Sequence, residues 1–199
     1  MSTLDQEFNK QREVLRWLED RYKLSIPSNE RSVICVMCFD LAIEHHAAIF
    51  QLFESGLRGS MFALLRIQFE ALVRGQYFQF CATENQMELF RKDKDFVKNL
   101  GEMITATEGK IGDKLGVLSN FKKKSYTFMN SFTHTGYQHL TRRMDQEGKF
   151  GAVNYPDQEV LQVLQTSRSF ALLSYAGLAT LGGDKKFVEE YLEKCKEFS

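Results

Sequence analysis

The chain has 199 residues, enough for one domain with a substantial buried core. Hydrophobic residues make up 43% and charged residues 26%, the balance of an ordinary soluble globular protein rather than a disordered or fibrous one. Lys and Arg number 26 and so do Asp and Glu, so there is no global field to attract nucleic acid or a membrane surface, and any polyanion must be held by a local patch.

Two prolines, Pro27 and Pro156, fall between helical segments, and no stretch alternates with period two, so every element is expected to be a helix. The N-terminal residues lack the apolar centre of a signal peptide. The first helix spans about residues 3–22, with Thr3 and Gln6 spaced as a capping box. Leu4, Phe8, Gln11, Leu15, Leu18 and Tyr22 make one stripe, expected to pack on the body of the bundle or to dimerise it through residues 1–23. Ser28 or Asn29 caps a second helix reaching about Ser55. It carries Cys35 and Cys38 as C-x-x-C inside an apolar run. A redox pair would open a helix, where the macrodipole lowers the thiol pKa, and a zinc site would need a second close ligand pair, whereas Cys81 and Cys195 are isolated. Buried thiols are expected.

The third helix, about residues 59–82, is apolar nearly all round, as a buried helix is. Yet Arg66, Glu70 and Arg74 recur at i, i+4 and i+8, about 40° apart in projection, on one narrow stripe. Unpaired buried charge is very costly, so the three must pair among themselves or with groups elsewhere. They read either as a structural ion-pair ladder or as guanidinium groups set to hold a phosphate.

Thr83 and Gln86 have capping-box spacing and open a charged stretch of one or two amphipathic helices. "GKIGDKLG" is a glycine-rich linker without the P-loop pattern. A helix from about Leu115 then carries "MNSFTHTGYQHLTRR", residues 129–143, into its C-terminal half. On a helix Asn130 and His134 share a face, with Ser131 beside them. Lys122, Lys123 and Lys124 lie upstream, and Arg142 and Arg143 downstream. This is the one place where histidine, hydroxyl, amide and concentrated positive charge converge. Histidine titrates near neutrality, so a positioned His can move a proton in RNA cleavage while Arg or Lys stabilises the phosphorane. The ribose 2′-OH is the nucleophile, so that chemistry requires no metal. His134 reads equally as a hydrogen-bonded residue closing a helix end, and His139 as a surface residue.

Residues 145–157 form a long irregular connection. A helix over about 157–181 follows, its face of Ser167, Ala171, Ser174 and Leu178 letting another helix approach closely, and Asp184 caps the last helix. His45 and His46 follow Asp40 and Glu44, but the chain has no E-x-x-H, so no metal and no cofactor is expected. With a longest apolar run of twelve residues, 170–181, short of the ~20 that span a bilayer, the chain is expected to be cytoplasmic and without a membrane segment.

Residues 64–74, L-L-R-x-x-x-E-A-x-x-R, and residues 131–136, S-F-x-H-x-G, resemble hallmarks of a group of uncharacterised bacterial all-helical proteins. These in turn resemble, more distantly, the HEPN superfamily of helical bundles. The resemblance implies a dimeric, metal-independent ribonuclease of toxin–antitoxin or phage-defence systems, with an antitoxin-like protein partner. Active HEPN nucleases carry R-x(4–6)-H, and no arginine stands at that distance before His134. Catalysis here would require Arg66 or Arg74 to approach His134 in space, or a partner subunit to supply the charge.

The expectation is therefore an all-α, single-domain, HEPN-like bundle of about six to seven helices spanning residues 1–199. His134 would be the acid/base, Arg66 and Arg74 the phosphate grips, Glu70 their positioner, and Asn130 and Ser131 the orienting groups. Lys122, Lys123, Lys124, Arg142 and Arg143 would follow an RNA backbone. The alternative is a non-catalytic homodimeric assembly protein with a structural Arg–Glu–Arg ladder. A small-molecule or anion pocket between helices stands as a third reading.

Overall fold

A computed structural model describes residues 3–20, 25–94, 99–145, 147–151, 154–183 and 185–198. The fold is all-α: α1 (Thr3–Asp20), α2 (Glu30–Glu54), α3 (Arg58–Phe80), α4 (Glu84–Arg91), α5 (Leu100–Ile111), α6 (Val117–Thr133), α7 (Tyr137–Thr141), α8 (Asp157–Gly182) and α9 (Lys185–Phe198). The number exceeds six to seven because the charged stretch divides into α4 and α5, and because α6 stops at Thr133 with the short α7 following. An isolated antiparallel bridge, Met144 to Phe150, pins the connection before α8.

Side chains set the helix ends. The Asn29 side chain accepts from the Ser32 N–H to start α2, and Thr83 with Gln86 completes a capping box at α4. Arg31 donates to the Phe78 and Ala82 carbonyls at 2.7 and 2.8 Å, satisfying acceptors that the end of α3 leaves open. The glycine-rich linker is a built turn. Asp113 accepts from the Leu115, Gly116 and Val117 N–H groups, and these bonds, that to Val117 foremost, hold its carboxyl below the usual range. The expected end of the first helix at Tyr22 and the expected cap Asp184 lie outside the described residues.

α3 is the axis of the bundle, packed by α2, α5, α6 and α8, which explains its nearly continuous apolar surface. α2 and α3 form a hairpin through a turn at Gly56, whose φ is 73°. The fully buried Phe39 of α2 wedges between Gly75 of α3 and Gly177 of α8. A Cβ would lie 2.6 Å from the ring at the first and 2.4 Å at the second. The α8 face of Ser167, Ala171, Ser174 and Leu178 is buried, with Ser167 meeting His46 of α2 and Gln68 of α3 at 2.9 Å each.

α1 lies on α8, so its stripe packs on the body of the protein. Val14, Leu18 and Gln11 are buried there, Gln11 donating to the Leu164 carbonyl at 2.9 Å. Glu7 and Arg168 form a buried ion pair between the two helices, one that the stripe pattern did not foretell. Tyr22 lies outside the described residues. Gln11 and Leu18 of the stripe are buried against the body, while Leu4, Phe8 and Leu15 are half-buried.

By length and composition α2 alone among the described residues is apolar enough to cross a membrane, but half of its most apolar window is buried inside the fold. Cys35 is buried and Cys38 half-buried in it; desolvation pushes their thiols up to about 12 and about 11, so both stay protonated.

Candidate functional site

The charge stripe of α3 makes one rung. Arg66 Nε donates to Glu70 Oε1 at 2.8 Å, with the two side chains only 17% and 26% exposed. Arg74, one turn on, is exposed and makes no ion pair among the described residues. The three-member ladder is thus corrected to a pair plus an unpaired cation. The pair is half-buried, which makes its Coulomb attraction stronger than that of a surface pair and leaving either member alone costlier.

The second half of the site is the end of α6. Of the two sequence readings of the histidine, a position along a continuing helix and a residue closing a helix end, the structure has the second. His134 is its C-cap, donating its backbone N–H to the Asn130 carbonyl at 2.9 Å. Thr135 follows in the left-handed region with φ 55°, and the Gly136 N–H returns to the Ser131 carbonyl at 2.6 Å. This is a Schellman closure with a threonine where glycine is usual. Gly136 is required by space, since a Cβ there would lie 2.9 Å from Ser131 Cα. Phe132 is buried against Phe62 and Tyr155, and Thr133 Oγ1 donates to the Met129 and Ala63 carbonyls at 3.1 and 3.3 Å. Every residue of the S-F-x-H-x-G segment is thereby engaged in closing the helix or seating it on α3, His134 through its backbone alone, which leaves its side chain for other contacts.

That seating brings His134 to Arg66. Nη1 of Arg66 donates to His134 Nε2, and Nη2 donates to the Tyr126 hydroxyl at 3.1 Å. Tyr126 in turn donates to Glu70 Oε1 at 3.1 Å, and its ring lies 5.0 Å from the Arg66 guanidinium carbon. A guanidinium has no acceptor, so Nε2 must accept, and the imidazole proton in this contact belongs on Nδ1. Of the five guanidinium N–H groups three are committed to these partners, which leaves two for an anion. Desolvation first, and Glu70 second, raise the Tyr126 pKa, so the hydroxyl remains a donor. Tyr126 was missed in the sequence. The available signal was its place one turn before Asn130 and two before His134 on the same helix face.

The remaining candidates are dispersed. Lys123 shares the helix face of Asn130 and His134 by its i, i+7 and i+11 spacing. Lys122 sits 5.4 Å over the Tyr126 ring. Lys124 lines a cleft between α6 and α8 on the far side of α6. Arg142 is held by both carboxylate oxygens of Glu159, at 2.9 and 2.8 Å, and anchors the connection to α8 instead of standing free. Arg143 and His139 face Gly59 at the start of α3, where a Cβ would lie 2.7 Å from His139 Nε2. His139 is half-buried, its Nδ1 bonded to the Phe132 carbonyl at 3.0 Å, and is not a surface residue. The Asn130 amide oxygen is buried without a hydrogen-bond partner among the described residues. Nor does any group of three His, Cys, Asp or Glu among them converge as metal ligands do.

Residues 39–199 match the model of a family of unknown function, DUF6988. The chain belongs to that family. The match takes in α3 to α9 and therefore both halves of the site. No curated protein and no solved structure matches the chain.

Proposed function

We propose that this DUF6988 protein is a HEPN-like, metal-independent ribonuclease that binds and cleaves RNA in the cytoplasm, as the toxin or defence component of a system with an antitoxin-like partner. One observation carries the reading: Arg66 and His134, from two motifs 68 residues apart, meet in a hydrogen bond. This supplies in space the arginine that the local sequence before His134 lacks.

The geometry supports a simple sequence of events. A phosphodiester entering the site takes up the two free guanidinium N–H groups of Arg66 and competes for the third. His134 Nε2 is then released to accept the ribose 2′-OH proton. The 2′ oxygen attacks phosphorus, the bond to the 5′ oxygen breaks, and the leaving oxygen takes a proton from water. The products are a 2′,3′-cyclic phosphate and a 5′-hydroxyl end. Glu70 and Tyr126 hold the guanidinium in place, so the charge facing the phosphorane is preorganised. Asn130 and Ser131 fix the backbone that presents His134. Arg74, Lys122, Lys123 and Arg143 supply the local positive charge that a neutral chain needs.

The test is incubation of purified protein with end-labelled tRNA and mRNA in EDTA, beside His134→Ala. Cleavage to cyclic-phosphate ends that the variant loses supports the reading. No cleavage by folded wild-type protein, or equal cleavage by both, overturns it.

A homodimeric assembly role is favoured by a separate observation. Val33, Met37 and Leu41 form an exposed apolar stripe on α2 at i, i+4 and i+8, and Ile67 of α3 is exposed beside it, each 41–56% accessible. Asp40 and Glu44 flank the stripe on α2, and Arg74 on α3 makes no ion pair among the described residues. A two-fold axis through this face would bury the apolar stripe and set the acids of one copy against Arg74 of the other. Met37→Asp is then expected to yield monomers in sedimentation; a wild-type monomer rejects the dimer.

A further inference from the structure

α6 and α8 enclose a second site that the RNA reading does not use. It is a cleft of about 300 Å³, on the side of α6 away from Tyr126 and His134. Its floor is apolar, formed by Leu65, Phe121, Phe128 and Val163. The two rings are fixed from behind: Phe121 lies 4.9 Å from both Phe69 and Phe170 with edge-on geometry, and Phe128 lies 4.7 Å from Phe132. Apolar clefts of this size with a few polar groups at the rim are the usual form of small-molecule sites.

The rim has unused polar capacity. Lys124 makes no ion pair among the described residues, and the hydroxyls of Ser125 and Thr166 make no hydrogen bond among them. This contrasts with Thr105, Thr133, Ser169, Ser174 and Thr180, which all turn back onto the carbonyl one helical turn earlier. Glu159 is the acid of the lining, and both of its oxygens are taken by Arg142. With that charge compensated, Lys124 is left as the uncompensated charge over an apolar floor.

From these observations we infer that the α6–α8 cleft binds a small amphipathic anion. Its flat apolar body would rest on Phe121 and Phe128, and its carboxylate, sulfonate or phosphate group would be held by Lys124 with the Ser125 and Thr166 hydroxyls. A neutral ligand of the same shape would gain the floor and forgo the cation; a dianion would find a single positive group.

The test uses two fluorescent probes of nearly the same shape, the anionic 1-anilinonaphthalene-8-sulfonate and the uncharged N-phenyl-1-naphthylamine, titrated into the full chain. Saturable binding of the anion at one site per chain is expected. Lys124→Gln should weaken the anion by about tenfold, a charge-assisted bond's worth, and leave the neutral probe within about twofold. Thr166→Trp, which fills the cleft from α8, should abolish binding of both. Gln162→Trp, from the exposed rim of the same helix, repeats that test if the first variant is not folded by circular dichroism. Absence of saturable binding to the wild type overturns the inference. So do an equal effect, or none, of Lys124→Gln on the two probes, and indifference of binding to a folded cleft-filling variant.

Discussion

At the scale of single residues, the end of α6 shows how a site is presented. Thr135 holds φ 55° in a region that costs a non-glycine residue about 1 kcal/mol or more, and a β-branched residue is especially uncommon there. The closure that demands it turns the chain immediately after His134 and keeps the imidazole against Arg66. Strain of this kind gathers where the surrounding structure dictates the geometry. Thr135→Gly is therefore expected to raise stability by about 0.5–1 kcal/mol, the relief of strain exceeding the extra freedom glycine gives the unfolded chain. For a domain of this size that is a rise of about 1–3 °C in Tm, measurable by calorimetry. A fall in Tm would show that Thr135 is unstrained. The string "THTG" allowed His134 to close a helix end, but not the left-handed Thr135, which goes with the seating of Phe132 and Thr133 on α3.

At the scale of elements, the bundle is keyed by side chains that fit between helices. Phe39 is boxed by Gly75 and Gly177, so a Cβ at either position would run into its ring. Alanine is the better helix former than glycine by about 1 kcal/mol, which favours Gly177→Ala. A Cβ 2.4 Å from the ring opposes it, and overpacking of that severity costs about 1–3 kcal/mol. The overlap should win, giving net destabilisation of up to about 2 kcal/mol in urea unfolding. Adding Phe39→Leu should make the pair less costly than the sum of the two single changes, by about 1 kcal/mol. Strict additivity would mean that the wedge is not what sets the spacing of α2 and α8. The elements themselves were largely legible, because caps are local: Asn29, and Thr83 with Gln86, stand at the spacings that start helices, and the all-round apolar pattern of α3 marked it as the central helix. Pairings between elements were not. Glu7 meets Arg168 across 161 residues and Arg66 meets His134 across 68, and no periodicity within either helix encodes its partner. Tyr126 escaped notice because an aromatic residue at helical spacing usually belongs to the core, whereas this one turns its hydroxyl to Arg66 and Glu70.

At the scale of the whole molecule, a buried polar layer ties α1, α2, α3 and α8 together through Glu7, Gln11, His46, Gln68, Ser167 and Arg168. It makes the fold sensitive to acid. Desolvation, with the Arg168 guanidinium second, pushes His46 down to about 3 from an ordinary value near 6.5. The unfolded chain thus binds a proton on this residue below pH 6.5 while the folded chain does not. Stability conferred by the neutral ring is complete above pH 6.5 and falls between there and about pH 3, by up to about 1.4 kcal/mol per pH unit. His45, lowered chiefly by desolvation, contributes in the same direction. Urea titrations at pH 7, 5.5 and 4.5 should show that loss in the wild type and a shallower one in His46→Asn, which keeps a partner for the Ser167 hydroxyl. Equal slopes would place the acid sensitivity elsewhere.

The central claim is that Arg66 and His134 act as one unit, and a double-mutant cycle on RNA cleavage tests it most directly. Rates in EDTA would be measured for the wild type, Arg66→Ala, His134→Ala and the double variant, each shown to be folded. Each single change is expected to reduce cleavage to nearly the same low level, and the double variant to be no slower than either, because groups that work together are lost together. Losses that multiply in the double variant, or cleavage that survives either single change, would contradict the account.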